Sequence, residues 1–423
     1  MLSESPEFAV SSTVQKRTSV AAGSYVLSLA ALPSRYAACL SAPSNTIDVF
    51  DSFTLQNLYS LPGHDNSTAL KSISSIAGSS RPTLVSSGSD GSIKVWDERT
   101  ASHSIKMTNL GKPRPLLCFD VHPDGKTVAA GTDLQGDDAL ILYWDPRQPA
   151  APLRTHSSTH SDDITVVQFS PSTSTNLLSA SSDGLVSLSN PEEDNEDEAV
   201  VHVANWGCSI SQAAWISPQK IWASSDMETF STWSDQLDLI QSQDIRQPSI
   251  HSGHRTWVTD YLITCREAPS GLNVFVGSNE GDIALLSPSS SSTWSMHSLW
   301  SNNHTGIVRS VLYDQQNHVL VSGGEDAKIN VWPGLGMRAR DEDSGSGHGI
   351  NGVGRGEDDA MMDVDSMDVD ATPDDVDMEM GMGGINGVTP TSTVSRRKRE
   401  REKEREREGG NESEREGGKR ARR

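Results

Sequence analysis

One short phrase recurs along this chain, and recurrence at near-constant spacing restricts the possible folds more than composition can. Its clearest copy occupies residues 85–99, Val-Ser-Ser-Gly-Ser-Asp-Gly-Ser-Ile-Lys-Val-Trp-Asp-Glu-Arg. The Ser89-Asp90-Gly91 turn separates apolar Leu84 and Val85 from an alternating run in which Ile93 and Val95 face one way and Lys94 the other. That is the pattern of a short β-hairpin with one buried face. Sliding its tryptophan position along the chain selects Phe50, Trp96, Trp144, Ser189, Trp233, Leu286 and Trp332, at steps of 46, 48, 45, 44, 53 and 46 residues. Seven small sheets in series are therefore expected. Each is too small to stand alone, so each must bury its faces against its neighbours.

With Gly63-His64 placed before the hairpin, the phrase gains a loop histidine, a strand serine, a turn aspartate and a closing Trp-Asp. This combination resembles one WD40 repeat. The resemblance implies an all-β fold, a seven-bladed WD40 β-propeller, whose closure into a ring removes long exposed sheet edges. It also implies a mechanical use for the polar positions, as a buried hydrogen-bonded relay within each blade. His64, Ser86, Asp90 and Trp96 fill the relay completely, as do His304, Ser322, Asp326 and Trp332, while His160, Ser179 and Asp183 fill three of its four places. A serine, histidine and aspartate set can also form a hydrolytic triad. Here the set returns at the repeat period, whereas a catalytic triad needs one copy, so a structural role is expected and no enzyme activity. No P-loop, H-E-x-x-H or dinucleotide fingerprint occurs.

The propeller is expected to span residues 8–335, after a frayed leader at residues 1–7. Blade seven has three strands of its own, near residues 307–311, 319–322 and 329–332, before the chain turns polar at Pro333-Gly334. Its outer strand is expected from residues 8–18, which would fasten the beginning of the chain to its end. Blades five and six are the most diverged, and Leu286 is placed mainly by spacing and by the turn Asn279-Glu280-Gly281. Cys39, Cys118, Cys208 and Cys265 are far apart with no C-x-x-C spacing, so free buried thiols and a reducing compartment are expected rather than disulfides or zinc. The chain has no run of eighteen apolar residues and no basic-then-apolar leader, which points to an intracellular protein.

A narrower resemblance rests on particular residues. Gly131-Thr-Asp-Leu-Gln-Gly-Asp-Asp-Ala-Leu140, ending in Tyr143-Trp-Asp-Pro-Arg147, is similar to the WD repeat-containing protein 89 family. So are Thr159-His-Ser-Asp-Asp-Ile164, Ser182-Asp-Gly-Leu-Val186, Gln243-Asp-Ile-Arg246 and Gly323-Gly-Glu-Asp-Ala327. The likeness covers about residues 20–335 and departs at Ser189 and in the long tail. It implies a propeller scaffold with no established catalytic activity.

Function then has to be sought on surfaces. Loops at one rim are expected to gather Asp133, Asp137 and Asp138 beside Asp162 and Asp163, a patch that nothing obvious neutralises and that suits a basic partner. These carboxylates lack EF-hand spacing, and no metal or cofactor is expected. A second constellation, Trp96-Asp-Glu-Arg99 and Trp144-Asp-Pro-Arg147, resembles the paired WD-x-R motifs of substrate receptors for cullin-type ubiquitin ligases. Arg99 and Arg147 would then face an adaptor from the opposite rim.

The remainder is polar. An acidic segment at 336–384 carries fourteen Asp or Glu against one arginine over residues 341–384, which leaves no apolar surface for a core and suits histone-like or ribosomal-protein-like basic partners. Residues 385–423 reverse the sign, with thirteen Lys or Arg against eight Glu. Arg396, Arg397, Lys398 and Arg399, and then Lys419, Arg420, Arg422 and Arg423, are short clusters of nuclear-import type, so a nuclear address is expected. Direct nucleic-acid binding is not, because the net charge is −22 and the basic residues are interleaved with glutamates without stacking aromatics.

Overall fold

The computed structural model describes residues 2–334, apart from 98, 110, 172–175, 253–254, 269–270 and 290–292. The acidic and basic tail segments, with their import clusters, lie outside the described residues. Antiparallel four-stranded sheets follow one another at residues 26–61, 67–108, 116–156, 164–205, 210–244 and 261–300, and the seventh, begun at residues 308–333, is completed from the N-terminus. We number these blades one to seven and their strands a to d from the centre outward. The architecture is a seven-bladed β-propeller.

The repeat phase read from the sequence lands on one structural position. Phe50 pairs with Tyr36, Trp144 with Val128, Ser189 with Leu177, Trp233 with Ile221, Leu286 with Val274 and Trp332 with Leu320, in each case strand c against strand b. Trp96 lies at the matching end of Ser92–Asp97. Side chains alternate across a strand, so each register residue points toward the preceding blade. Trp96 packs on Ala37, Ile47 and Val49 of blade one, and Trp332 on Phe275, Ile283 and Leu285 of blade six. Seven apolar clusters occupy the seven blade interfaces, the last joining Val26 and Tyr36 of blade one to Val321 and Val331 of blade seven.

Ser189 leaves blade four without its large side chain. The preceding blade supplies the bulk. Tyr143 is fully buried beside Ser189, and its ring meets His156 edge-on at 5.0 Å. The corresponding residues of blades two and seven, Val95 and Val331, are smaller and face the full-sized rings of Trp144 and Phe50.

Closure uses the N-terminus, though not as expected. The outer strand of blade seven is the short Lys16–Ser19, antiparallel to Lys328–Pro333, with Arg17 Nε donating to Asn330 Oδ1 at 2.8 Å. Phe8 to Ser11 instead belong to a longer strand, Leu2–Ser11, which lies parallel to Trp294–Trp300 as a fifth strand on blade six. Residues 2–7 are therefore not frayed. Leu2 is buried among Trp294, Met296 and Trp257, and Phe8 packs on the same cluster, so apolar burial holds a segment that its polar composition concealed.

Candidate interaction surfaces

Strand order fixes what lies on each rim. In a blade running a, b, c, d, the loops entering strand a and joining b to c fall at one end, the upper rim, while those joining a to b and c to d fall at the lower rim. The relay histidines and turn aspartates are thus upper-rim residues. The Trp-Asp-x-Arg ends of strand c belong to the lower rim.

The relay forms as the repeat implies. His64 Nδ1 is 2.8 Å from Asp90 Oδ1, His64 Nε2 is 2.8 Å from Ser86 Oγ, and Trp96 Nε1 donates to Ser86 Oγ at 2.9 Å. A carboxylate only accepts, so in the neutral ring Nδ1–H donates to Asp90 and Nε2 accepts from the Ser86 hydroxyl. Blade seven repeats it, with His304 at 2.9 Å from Asp326 and 2.8 Å from Ser322, and Trp332 Nε1 donating to Ser322 at 2.8 Å. Burial alone would raise the Asp90 and Asp326 carboxyls. The hydrogen bond from the partner histidine, with Ser92 and Lys94 beside Asp90 and Lys328 beside Asp326, outweighs it and holds both well below the usual carboxylate range. In blade four, His160 Nε2 reaches Ser179 at 2.9 Å, but Nδ1 is 3.4 Å from Asp183, and among the described residues no indole donates to Ser179. Each relay pins an entry loop onto a turn. Gly91 and Gly184 give those turns positive φ, and a Cβ at Gly91 would lie 2.8 Å from the Arg114 carbonyl oxygen. The histidines, serines and indoles of the relays are buried fasteners.

Around this scaffold the upper rim carries the expected carboxylates and several more. Leu134 N donates to Asp163 Oδ1 at 2.7 Å, and Asp163 N to Asp162 Oδ1 at 2.8 Å, so the enlarged blade-three loop closes against the entry loop of blade four. Burial, with the Asp163 charge, raises the Asp133 carboxyl. The expectation that nothing neutralises this patch is corrected. Arg114 donates to the Asp138 carbonyl oxygen at 2.9 Å, and its charge opposes the rise at Asp133, because the entry loop of blade three brings it under the loop. Asp137 lies exposed beside this clasp, toward solvent.

The patch continues into blades five and six, whose divergent repeats hide it in the sequence. In blade five the turn Asp226-Met-Glu228 adds two carboxylates, and Glu228 Oε2 accepts from Leu262 N of blade six at 2.8 Å. In blade six Asp260 accepts from Asn279 N at 2.7 Å, and Asp282 accepts from Asn302 N at 2.9 Å. Burial raises Glu228, with the neighbouring charges of Asp244 and Asp226 adding to it, and raises Asp282, with Glu280 adding to it. Three carboxyls from blades three to six are thus pushed up, each in part by another acid. The signal is present in the sequence, where the turn Asn279-Glu280-Gly281 is followed directly by Asp282.

On the lower rim, Arg99 and Arg147 both reach solvent, with side chains 83% and 59% exposed. Neither is unpartnered. Arg99 returns to its own Asp97 at 3.2 Å and Arg147 to Asp145 at 2.6 Å, each with its backbone N–H on the same carboxylate. Glu196, within the acidic run after blade four's strand c, is also occupied. It accepts from Ser157 N, Ser158 N and Thr159 N at 2.7–2.8 Å, anchoring the chain ahead of His160.

Comparison with known proteins agrees with this geometry. The family profile for the WD domain, G-beta repeat, matches residues 55–97, 151–188 and 295–333. These are the three stretches that hold His64, His160 and His304. An uncharacterized WD repeat-containing protein of Schizosaccharomyces pombe is 28% identical over 67% of this chain and 88% of its own length. The WD repeat-containing protein 89 homolog of Dictyostelium discoideum is 28% identical over 73% of this chain and 82% of its own. Among solved structures, a chain in a crystal structure of the mitotic checkpoint complex superposes with a TM-score of 0.59 at 14% identity, covering 78% of this chain and 97% of that one, a likeness of fold.

Proposed function

Because the chain is a WD40-repeat β-propeller similar to the WD repeat-containing protein 89 homologs, we propose that it is a non-enzymatic nuclear interaction scaffold that holds basic protein segments on its upper rim. The observation that carries this reading is the gathering of carboxylates on one rim, with Asp163 bonded to the blade-three loop beside Asp133, Glu228 in one turn with Asp226, and Asp282 in one turn with Glu280. A cation delivered there relieves repulsion already present in the folded protein, and a rigid ring holds the charges in place at no further ordering cost. The gain falls chiefly on association rate and on rejection of acidic competitors. The basic clusters at 396–399 and 419–423 supply the nuclear address in this reading.

A second reading, contact with a ubiquitin-ligase adaptor, is favoured by the exposure of Arg99 and Arg147 on the lower rim. Affinity purification separates the two. With Asp137, Asp138, Asp162 and Asp163 changed to Asn, basic partners are expected to be lost while Arg99→Ala with Arg147→Ala retains them. The reverse pattern, with recovery of a ligase adaptor by the wild type, would reject the scaffold reading. Deleting residues 396–423 is expected to leave the protein in the cytoplasm, and unchanged nuclear accumulation would remove the import assignment.

A further inference from the structure

The outer strands of the blades are not equally defended. Exposed sheet edges are usually guarded by charge, proline or a covering segment. Blade one's outer strand, Asn57–Leu61, is also free of charge and proline, but the c–d connection before it, Ser52-Phe-Thr-Leu-Gln56, carries no acid. Blade two's outer strand contains Lys106, blade three's Arg154, blade five's Asp244 and blade seven's Lys16 and Arg17, while blade six is covered by the N-terminal strand with Glu4, Pro6 and Glu7. Blade four ends in Val200–Asn205, Val-Val-His-Val-Ala-Asn, six residues with no charge and no proline. Val201 and Val203 are 54% and 38% exposed on one face.

The backbone of this edge is open as well. Trp206 N donates inward to Gly184 O, and in an antiparallel ladder the inward and outward groups alternate along the strand. Val203 and Asn205 therefore present N–H and C=O outward, and among the described residues no strand pairs with them. Beyond the lower end of the strand, the c–d connection carries Glu192, Asp194, Asp197 and Glu198, all exposed. Blade six shows that an outer strand of this propeller accepts one more strand, since Leu2–Ser11 is laid along Trp294–Trp300.

We infer that the outer edge of blade four is a strand-addition site for an extended segment of a partner protein, with β-branched residues in alternation and lysine or arginine at the end that meets the c–d acids. Ladder hydrogen bonds to Val203 and Asn205 supply affinity, Val201 and Val203 select apolar residues at every second position, and the carboxylates choose the basic end. This surface is separate from the upper rim.

The test uses the full chain and a fluorescein-labelled peptide of alternating threonine and valine ending in a run of lysines, made in both chain orders. Saturable binding of one order by anisotropy is expected. Val203→Pro, which deletes an outward donor and leaves the inward ladder intact, and Val203→Lys are each expected to weaken it roughly tenfold, the equivalent of one or two ladder bonds. Asp197→Asn with Glu198→Gln is expected to weaken it less and to flatten its salt dependence. Asp162→Asn with Asp163→Asn should leave it unchanged, so failure here and failure of the upper-rim reading are told apart, and unchanged melting curves show that each variant is folded. Equal binding by wild type and both Val203 variants would overturn the proposal. So would a concentration-dependent dimer of the protein alone that Val203→Lys abolishes, because the edge would then belong to a second copy.

Discussion

Ser86→Ala is the sharpest perturbation of the scaffold, because one hydroxyl joins two groups that have no other way to be satisfied. Ser86 is fully buried, accepts from Trp96 Nε1 at 2.9 Å and lies 2.8 Å from His64 Nε2. Alanine fills nearly the same volume, so no cavity term enters. What remains is a buried indole N–H and a buried ring nitrogen without partners, at about 1–2 kcal/mol each, or about 2–4 kcal/mol together. Ser179→Ala removes one such contact, to His160, since among the described residues no indole reaches Ser179, and about 1–2 kcal/mol is expected. With an unfolding entropy of about 2.1 cal/mol/K per residue over roughly 330 residues, each kcal/mol corresponds to about 1.4 °C in melting temperature. Differential scanning calorimetry should give a drop of about 3–6 °C for Ser86→Ala and about 1–3 °C for Ser179→Ala, with Ser322→Ala matching the former. Equal drops at Ser86 and Ser179, or none at Ser86, would refute the relay as a load shared by indole and imidazole.

Other outcomes follow from the same geometry. Asp90 and Asp326 have carboxyls held below their unfolded values, so their stabilisation is complete above pH about 4 and is lost as pH falls toward the folded values; Asp90→Asn with Asp326→Asn should lower the melting temperature at pH 7 and flatten its decline between pH 5 and 3. Asp282 is raised, the opposite case, so its ionisation costs stability at neutral pH, and Asp282→Asn, which keeps an acceptor for Asn302 N, should melt higher at pH 7 but no higher at pH 3. Burial pushes the Cys39 thiol up to about 11 and Cys118 to about 12 and raises Cys265, whereas Cys208 is only half-buried, so a thiol reagent at pH 8 should label one cysteine quickly and the others on unfolding. Truncation to residue 11 should leave a folded ring with blade six exposed at Trp294, whereas truncation to residue 19 should also remove the outer strand of blade seven and melt markedly lower, as calorimetry of the two can show.

Much of the fold was legible because it is periodic. The tryptophan phase found strand c in all seven blades, even where Leu286 and Ser189 had replaced the ring, since spacing is set by strand and loop lengths that tolerate side-chain change. The compensation at Ser189 was not legible. Tyr143 lies in another repeat, and only the stacking of blades shows that the two share one interface. The N-terminus misled for a related reason, since Leu-Ser-Glu-Ser-Pro-Glu has one large apolar residue, and its value depends on the Trp294 and Trp257 cluster waiting for it. On the upper rim the acids of blades three and four were visible as a run, whereas Arg114 was hidden by distance in sequence. Glu228 and Asp282 were hidden by the divergence of their blades. The self-pairing of Arg99 and Arg147 was in plain view, because an aspartate two residues before an arginine can fold back onto it through a turn.

Hydrogen exchange with and without a lysine-rich histone-tail peptide tests most directly which rim is the working surface. Added protection is expected in the loops at 133–138, 160–163, 226–228 and 279–282, fading as salt is raised. Protection confined to the lower-rim turns at 97–100 and 145–148, or none at saturating peptide, would contradict the assignment of the carboxylate rim as the binding face.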